Sequence, residues 1–255
     1  MSVRGLLRRL AVLALLTGLA LPAGAEVTAA GAQLQLRFAD NGDLLEAVAC
    51  LTSCAQAGAH RQLFGAATPV VAFTSFATEP FELERLERAD GVELRFEDAA
   101  NGSYRRWRIP AEGWRLELSV AGSERLDLDA GPALEPPEAY GFGVWLEQLR
   151  YVLFGEHGAE VYGLEDAPAE SELAYWSGFR NRFWTLMLLP GQALSAQLAA
   201  GPGTAHPAMV LDLPASELQA SLYLGPVEPA ALRSADPVLH GMMYASLWFW
   251  LRWIC

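Results

Sequence analysis

Apolar and polar residues alternate along most of this chain with a period of two. That spacing puts one face of a β-strand against a core and the other in water. Leu34, Leu36 and Phe38 alternate with Gln33, Gln35 and Arg37, and Asp40-Asn41-Gly42-Asp43 then supplies a turn. Val92, Leu94 and Phe96 alternate with Glu93, Arg95 and Glu97. Asn101-Gly102 predicts a hairpin, with a return strand through Tyr104, Trp107 and Ile109. Trp114, Leu116, Leu118 and Val120 repeat the pattern, and Leu126 and Leu128 continue it. Further strands are predicted over 172–177, 183–189, 194–198, 209–213 and 218–224. Residues 131–137 form a proline-bearing breaker, 138–154 read as strand or a short amphipathic helix, and 155–171 read as acidic loop. After Gly225-Pro226, residues 227–233 turn helical.

So many short strands with regular turn signals predict a mainly β domain, a sandwich or supersandwich, and not a βα repeat. No internal repeat at a fixed period divides the chain, and no low-complexity linker does.

The two ends break the alternation. Arg4, Arg8 and Arg9 precede a short apolar run over 10–21, and Pro22-Ala23-Gly24-Ala25 offers a small-x-small cleavage pattern. The expectation is an export signal over 1–25, cut before Glu26, with an uncleaved signal anchor as the alternative. At the other end, 239–255 is apolar and aromatic, with His240, Tyr244, Ser246 and Arg252 as its few polar residues. A helix of that length would reach about 25 Å at ~1.5 Å per residue, short of a hydrocarbon core of ~30 Å. Trp248, Phe249, Trp250 and Trp253 suit a membrane interface, and Arg252 can snorkel to its wet side. The expectation is an amphipathic helix over 237–255 lying in the lipid interface. A truncated span and a helix packed on the domain's own core remain the alternatives. The domain itself would occupy 26–236.

Charge narrows the partners. The chain holds 30 acidic and 18 basic residues, all of the latter arginine, for a net charge of -12. Nucleic acid is excluded, because phosphate binding needs a clustered positive surface. The Arg105, Arg106 and Arg108 run reads as the exposed face of a strand. Cys50 and Cys54 sit four apart in a turn-like stretch. In an exported protein they are either a local disulfide or two buried thiols. The spacing of His and Cys suggests no metal site, and no cofactor-binding motif occurs.

A family resemblance gathers these pieces. Trp176-Ser177-Gly178-Phe179-Arg180-Asn181-Arg182-Phe183-Trp184-Thr185 resembles a Trp-x-Gly stretch leading into an aromatic pair and a strand in the large periplasmic domain of the YidC membrane-protein insertases. Leu222-Tyr223-Leu224-Gly225-Pro226 resembles that domain's closing strand, and Leu247-Trp248-Phe249 with Leu251-Arg252-Trp253-Ile254 its interface helix. The 98–107 hairpin and the 34–43 strand and turn are similar too. The resemblance implies a β-supersandwich of the galactose mutarotase-like kind with a short C-terminal amphipathic helix. It also implies a non-enzymatic domain on the periplasmic side of the inner membrane. There it would support membrane-protein insertion or folding by touching Sec translocase components or client chains, with Phe179 and Trp184 as candidate partner contacts. The family's five-span core has no counterpart in these residues, so the chain is not expected to insert proteins by itself.

The supersandwich also opens a second reading, a stand-alone periplasmic carbohydrate-binding or mutarotase-like protein. Enzymes of that fold open a hemiacetal with His and Glu, and His157, His206 and Glu160 are the candidates here.

Overall fold

The computed structural model describes residues 26–65, 68–75, 81–134, 149–200 and 207–245. The expected signal at 1–25, His206 and the aromatic tail with Trp248, Phe249, Trp250, Arg252 and Trp253 lie outside them. Eighteen strands among the described residues form two antiparallel sheets. β1 (Val27–Ala30), β2 (Leu34–Phe38), β3 (Leu44–Cys50), β4 (Arg61–Gly65) and β5 (Val71–Ser75) open sheet A. β6 (Glu82–Arg88), β7 (Gly91–Asp98), β8 (Ser103–Pro110) and β9 (Arg115–Ala121) form a meander in sheet B. β10 (Ser123–Asp129) crosses back to sheet A. β11 (Arg150–Gly155) and β12 (Gly158–Tyr162) join sheet B, and β13 (Glu170–Leu173) joins sheet A. β14 (Ser177–Arg180) and β15 (Trp184–Pro190) return to B, β16 (Leu194–Ala200) and β17 (Pro207–Asp212) to A, and β18 (Leu218–Pro226) closes B.

Sheet A runs β1-β2-β3-β5-β10-β17-β16-β13, with β4 also on β3, and sheet B runs β12-β11-β14-β15-β18-β9-β8-β7-β6. The mainly β supersandwich expected from the alternation is what the chain forms. The predicted Gly42 and Gly102 turns are present, both glycines at positive φ. At Gly42 a Cβ would also stand 2.9 Å from the Phe96 ring, so the turn packs too closely for any other residue. Several segments differ from expectation: β1, β3, β4, β5 and β6 form where no strand is predicted, and the strand expected over 172–177 breaks between Leu173 and Ser177. β12 lies inside the stretch read as acidic loop, because Ala159, Val161 and Tyr162 are too sparse to give an apolar alternation but pair fully with β11. The 138–154 ambiguity resolves as strand over Arg150–Gly155, and 138–148 lies outside the described residues.

The face shared by the two sheets holds Leu36, Phe38, Leu94, Phe96, Trp107, Leu118, Leu126 and Leu211, all buried. Phe38 lies 5.4 Å from Trp107 and 6.1 Å from Phe96 between ring centroids. The reading of Arg105 as exposed is overturned here. Along β8 the buried positions are Ser103, Arg105, Trp107 and Ile109, so Arg105 shares the inward parity of Trp107. It is 1% exposed. Its Nη1 donates to Asp43 Oδ1 at 2.9 Å and to the Asn41 carbonyl, while the guanidinium lies 4.5 Å and 4.9 Å from the Phe73 and Phe81 rings. Burial pushes Asp43 above the usual carboxylate range, against the pull of Arg105, and pushes Arg105 down to about 10.

A second apolar layer lies outside sheet B. Residues 152–154 of β11, 185–188 of β15 and 220–226 of β18 are buried without alternation, the pattern of strands covered on both faces. Val152, Phe154, Trp176, Met187 and Tyr223 form the outer face, and Leu232, Leu239 and Met242 cover it. The cover consists of α1 (Pro229–Ala235) and a 3₁₀ helix (Pro237–Met243). Thus the start of the segment expected to form one interface helix over 237–255 is instead a 3₁₀ helix with Leu239 and Met242 packed on the domain.

Removing one partner of the Arg105–Asp43 pair strands the other in the core. We expect Arg105→Met or Asp43→Leu to cost about 3–5 kcal/mol each by urea unfolding, and the double variant far less than their sum. Because Asp43 titrates higher in the fold than in the unfolded chain, its contribution to stability is full at low pH and is lost as pH rises through its folded value. The Asp43→Asn variant is expected to lack that pH dependence.

Candidate functional site

Three turns, two strands and the end of α1 converge at one end of the sandwich beside sheet B. The β1–β2 turn brings Gln33, the β6–β7 turn Asp90, and the end of β8 Arg108 and Pro110. The β8–β9 turn adds Glu112, Gly113 and Trp114, β9 adds Arg115 and Glu117, and the end of α1 adds Ser234 and Ala235. They enclose a cleft of about 600 Å³. The turn that presents Asp90 depends on Gly91, at φ +149°, where a Cβ would stand 2.0 Å from the Ile109 carbonyl oxygen.

Most of these groups are held in place. Gly113 N–H donates to Gln33 Oε1 at 2.8 Å, and Cys50 N–H to the Gln33 carbonyl at 2.8 Å. The Trp114 indole N–H reaches the Cys50 carbonyl at 3.3 Å. Cys50 and Cys54 are joined as a disulfide, 2.10 Å between sulfurs, which closes the loop carrying that carbonyl. Arg108 pairs with Asp90, and this hydrogen bond holds the Asp90 carboxyl below its ordinary value. Arg115 makes three hydrogen bonds: Nε to Glu117 at 2.9 Å, Nη1 to the Ala235 carbonyl at 2.9 Å and Nη2 to Ser221 Oγ at 3.0 Å. Ser221 Oγ donates in turn to the second Glu117 oxygen at 2.7 Å. Glu117 is therefore a fixed carboxylate at the cleft wall.

The residues expected to carry function lie elsewhere. His157 is exposed in the β11–β12 turn. Glu160 is exposed on β12, where it accepts a hydrogen bond from Tyr162. Neither lines this cleft. Phe179 is fully buried between the sheets, 5.3 Å from Tyr151, so burial removes it as a partner contact. Trp184 is half-buried and packs on the same core. The exposed member of that stretch is Phe183, at 57%. Among the described residues no three His, Cys, Asp or Glu side chains converge to hold a metal ion. The cleft was missed because its residues come from four separate stretches of the chain, at 33, 90, 108–117 and 234–235. The one signal in the sequence is the density of Arg, Glu and Trp over 105–117.

No family model and no curated protein sequence matches this chain. Solved structures similar to it include a putative aldose 1-epimerase from Escherichia coli K12, at 8% identity and a TM-score of 0.40, covering 78% of this chain and 98% of that one. Another is the alpha-N-acetylgalactosaminidase NagBb from Bifidobacterium bifidum, at 12% identity and a TM-score of 0.41, covering 78% of this chain and 35% of that one. A third is a 4-alpha-glucanotransferase from Thermococcus litoralis, at 9% identity and a TM-score of 0.34, covering 82% and 38%. At these identities the likeness is one of fold alone.

The insertase resemblance is overturned. No family model matches the chain, and none of these solved structures is an insertase. The expectations of a role in membrane-protein insertion, and of a non-enzymatic domain, rested on that resemblance and fall with it. The motifs that carried it are packing features. Trp176 is buried with its indole N–H on Asp236 at 3.0 Å, and a Cβ at Gly225 would stand 2.8 Å from Trp114.

Arg115 ties α1 to sheet B through a three-way fork that an ammonium does not reproduce. We expect Arg115→Lys to lose about 1–3 kcal/mol of stability. Faster amide hydrogen exchange over 229–236 than in the wild type checks the assignment of that loss to α1.

Proposed function

We propose that this chain binds carbohydrate in the cleft between the β8–β9 turn and α1. The observation that carries this reading is the lining of the cleft: one tryptophan at the wall and, around it, planar polar groups that present forked donors and acceptors. Most small-molecule pockets are lined mainly by apolar side chains, with a few polar groups that set orientation. Here seven of the eleven lining residues carry polar side chains, which suits a ligand covered in hydroxyls. A sugar ring has an apolar C–H face for the Trp114 indole, and adjacent hydroxyls for the carboxylates of Glu117, Asp90 and Glu112 and the amide of Gln33. Glu117 is suited to accept from a sugar hydroxyl because Arg115 and Ser221 already fix both of its oxygens in place. The volume, about 600 Å³, is that of an ordinary small-molecule site.

The compartment follows from the ends of the chain and the cysteines. The signal pattern over 1–25 and the Cys50–Cys54 bond support an exported, oxidised protein. The tryptophans at 248, 250 and 253 support contact of the tail with the lipid interface on the periplasmic face of the inner membrane. Among the described residues no helix is long and apolar enough to cross a membrane.

Two measurements test the reading. In a thermal-shift screen of neutral, amino and acidic sugars, at least one class should raise the melting temperature saturably. Glu117→Gln should weaken that ligand by about tenfold, the equivalent of one charge-assisted hydrogen bond. A flat response to all three classes would sink the proposal. NMR exchange between the α and β anomers of the bound sugar reports whether the cleft also turns its ligand over. Deleting 246–255 should move the protein from the membrane to the soluble fraction after lysis, and unchanged fractionation would remove the tail from membrane contact.

A further inference from the structure

On the outer face of sheet B, Arg95 of β7 stands directly opposite Arg106 of β8. Like charges in register across antiparallel strands repel, so such a pair destabilises the sheet unless something else balances it. The neighbouring carboxylates balance it unevenly, and Glu84 of β6 also faces Arg95 in register. Glu97 lies 3.0 Å from Arg95. Glu93 is held by Arg88 at 2.7 Å and comes no nearer than 3.7 Å to Arg106. Arg106 has only its share of Glu93, and its Nε makes no hydrogen bond. Both guanidiniums instead lie against the Tyr104 ring, at 5.7 Å and 5.6 Å from its centroid. The side chains keep 33% and 39% of their surface exposed, so the pair is within reach of a ligand.

Toward the middle of the sheet this row carries no acid, while Glu84 closes it at the β6 edge and Glu217 reaches Tyr104 beside it. Arg106 faces Ser119 of β9, and Ser119 faces Gln219 of β18. One row along lies the Arg108–Glu117 pair, which lines the cleft. The two rows are separated by two residues on the same face, about 6.6 Å at ~3.3 Å per residue. A chain of sugar units leaving the cleft along the sheet would cross Arg106.

We propose that Arg106, backed by Arg95, binds the carboxylate of an acidic sugar unit, so that the ligand class of the cleft is a uronate-bearing oligosaccharide. This rests on the carbohydrate reading of the cleft. A carboxylate bridging the two guanidiniums would turn their repulsion into two forked, charge-assisted contacts. The Tyr104 ring holds both planes ready for it.

The test is calorimetric titration of the purified protein with a hexuronate tetrasaccharide and with its neutral hexose counterpart, for wild type, Arg106→Gln and Glu117→Gln. The acidic ligand should bind at least tenfold tighter at low salt, and that advantage should shrink at high salt. Arg106→Gln should bring the acidic ligand to the level of the neutral one and leave the neutral one unchanged. Its melting temperature without ligand, kept within a few degrees of wild type, shows that the variant folds. Equal binding of both ligands to wild type, or an acidic preference that survives Arg106→Gln, overturns the assignment. If Glu117→Gln still weakens the neutral ligand in that case, the cleft reading stands without it. Failure of both ligands to bind wild type overturns both.

Discussion

The guanidinium of Arg105 is the point on which the two layers of this domain agree. It belongs to β8 in sheet B, yet its partners Asp43 and Asn41 lie in the turn between β2 and β3 of sheet A. Asp43 in turn accepts from the Phe73 amide, at 3.1 Å, and so fixes the start of β5. Trp107, two residues along β8, donates to the Gly42 carbonyl at 2.9 Å. One charged side chain and one indole therefore set how sheet A lies across sheet B. A buried ion pair adds little net stability over an apolar pair of the same volume. Its directional bonds, however, allow one alignment of the sheets, which apolar packing alone does not.

That alignment also positions the cleft. β8 runs from the Arg105 anchor out to Arg108 and Pro110, and the β8–β9 turn follows with Trp114. At this end sheet A contributes the disulfide loop, whose Cys50 carbonyl takes the Trp114 indole, and the turn holding Gln33. Arg115 binds the last turn of α1 to the same wall. The site is thus shared among the two sheets and the C-terminal helix, and none of the three forms it alone.

The insertase resemblance fails for an instructive reason. The residues that suggested it, Trp176, Gly178, Phe179 and Gly225-Pro226, all solve a packing problem. Gly178 has no room for a Cβ, which would stand 2.1 Å from the Leu186 carbonyl oxygen, and Trp176 and Phe179 fill opposite faces of the same strand region. Any supersandwich with a helix laid on its outer face meets similar demands. Such motifs report architecture, and function has to be argued from a site.

The strands and their turns were legible in the sequence because a half-buried strand needs nothing but alternation and a turn that tolerates positive φ. Leu34 to Phe38, Val92 to Phe96 and Leu116 to Val120 each follow it. β18 reads as a clean alternation, yet it is buried over 220–226, because α1 and the 3₁₀ helix cover its outer face. Arg105 was legible by parity with Trp107 and Ile109, but its charge argued the other way, and only the presence of Asp43 across the sheets makes its burial tolerable. Whether Cys50 and Cys54 would pair depended on a turn whose shape is set by contacts with Ala32 and Arg61. The cleft was only faintly legible, in the density of Arg, Glu and Trp over 105–117, because the rest of its lining lies far away along the chain. Arg95 and Arg106 lie on the two arms of the hairpin that Asn101-Gly102 predicts, but strand register alone sets them face to face.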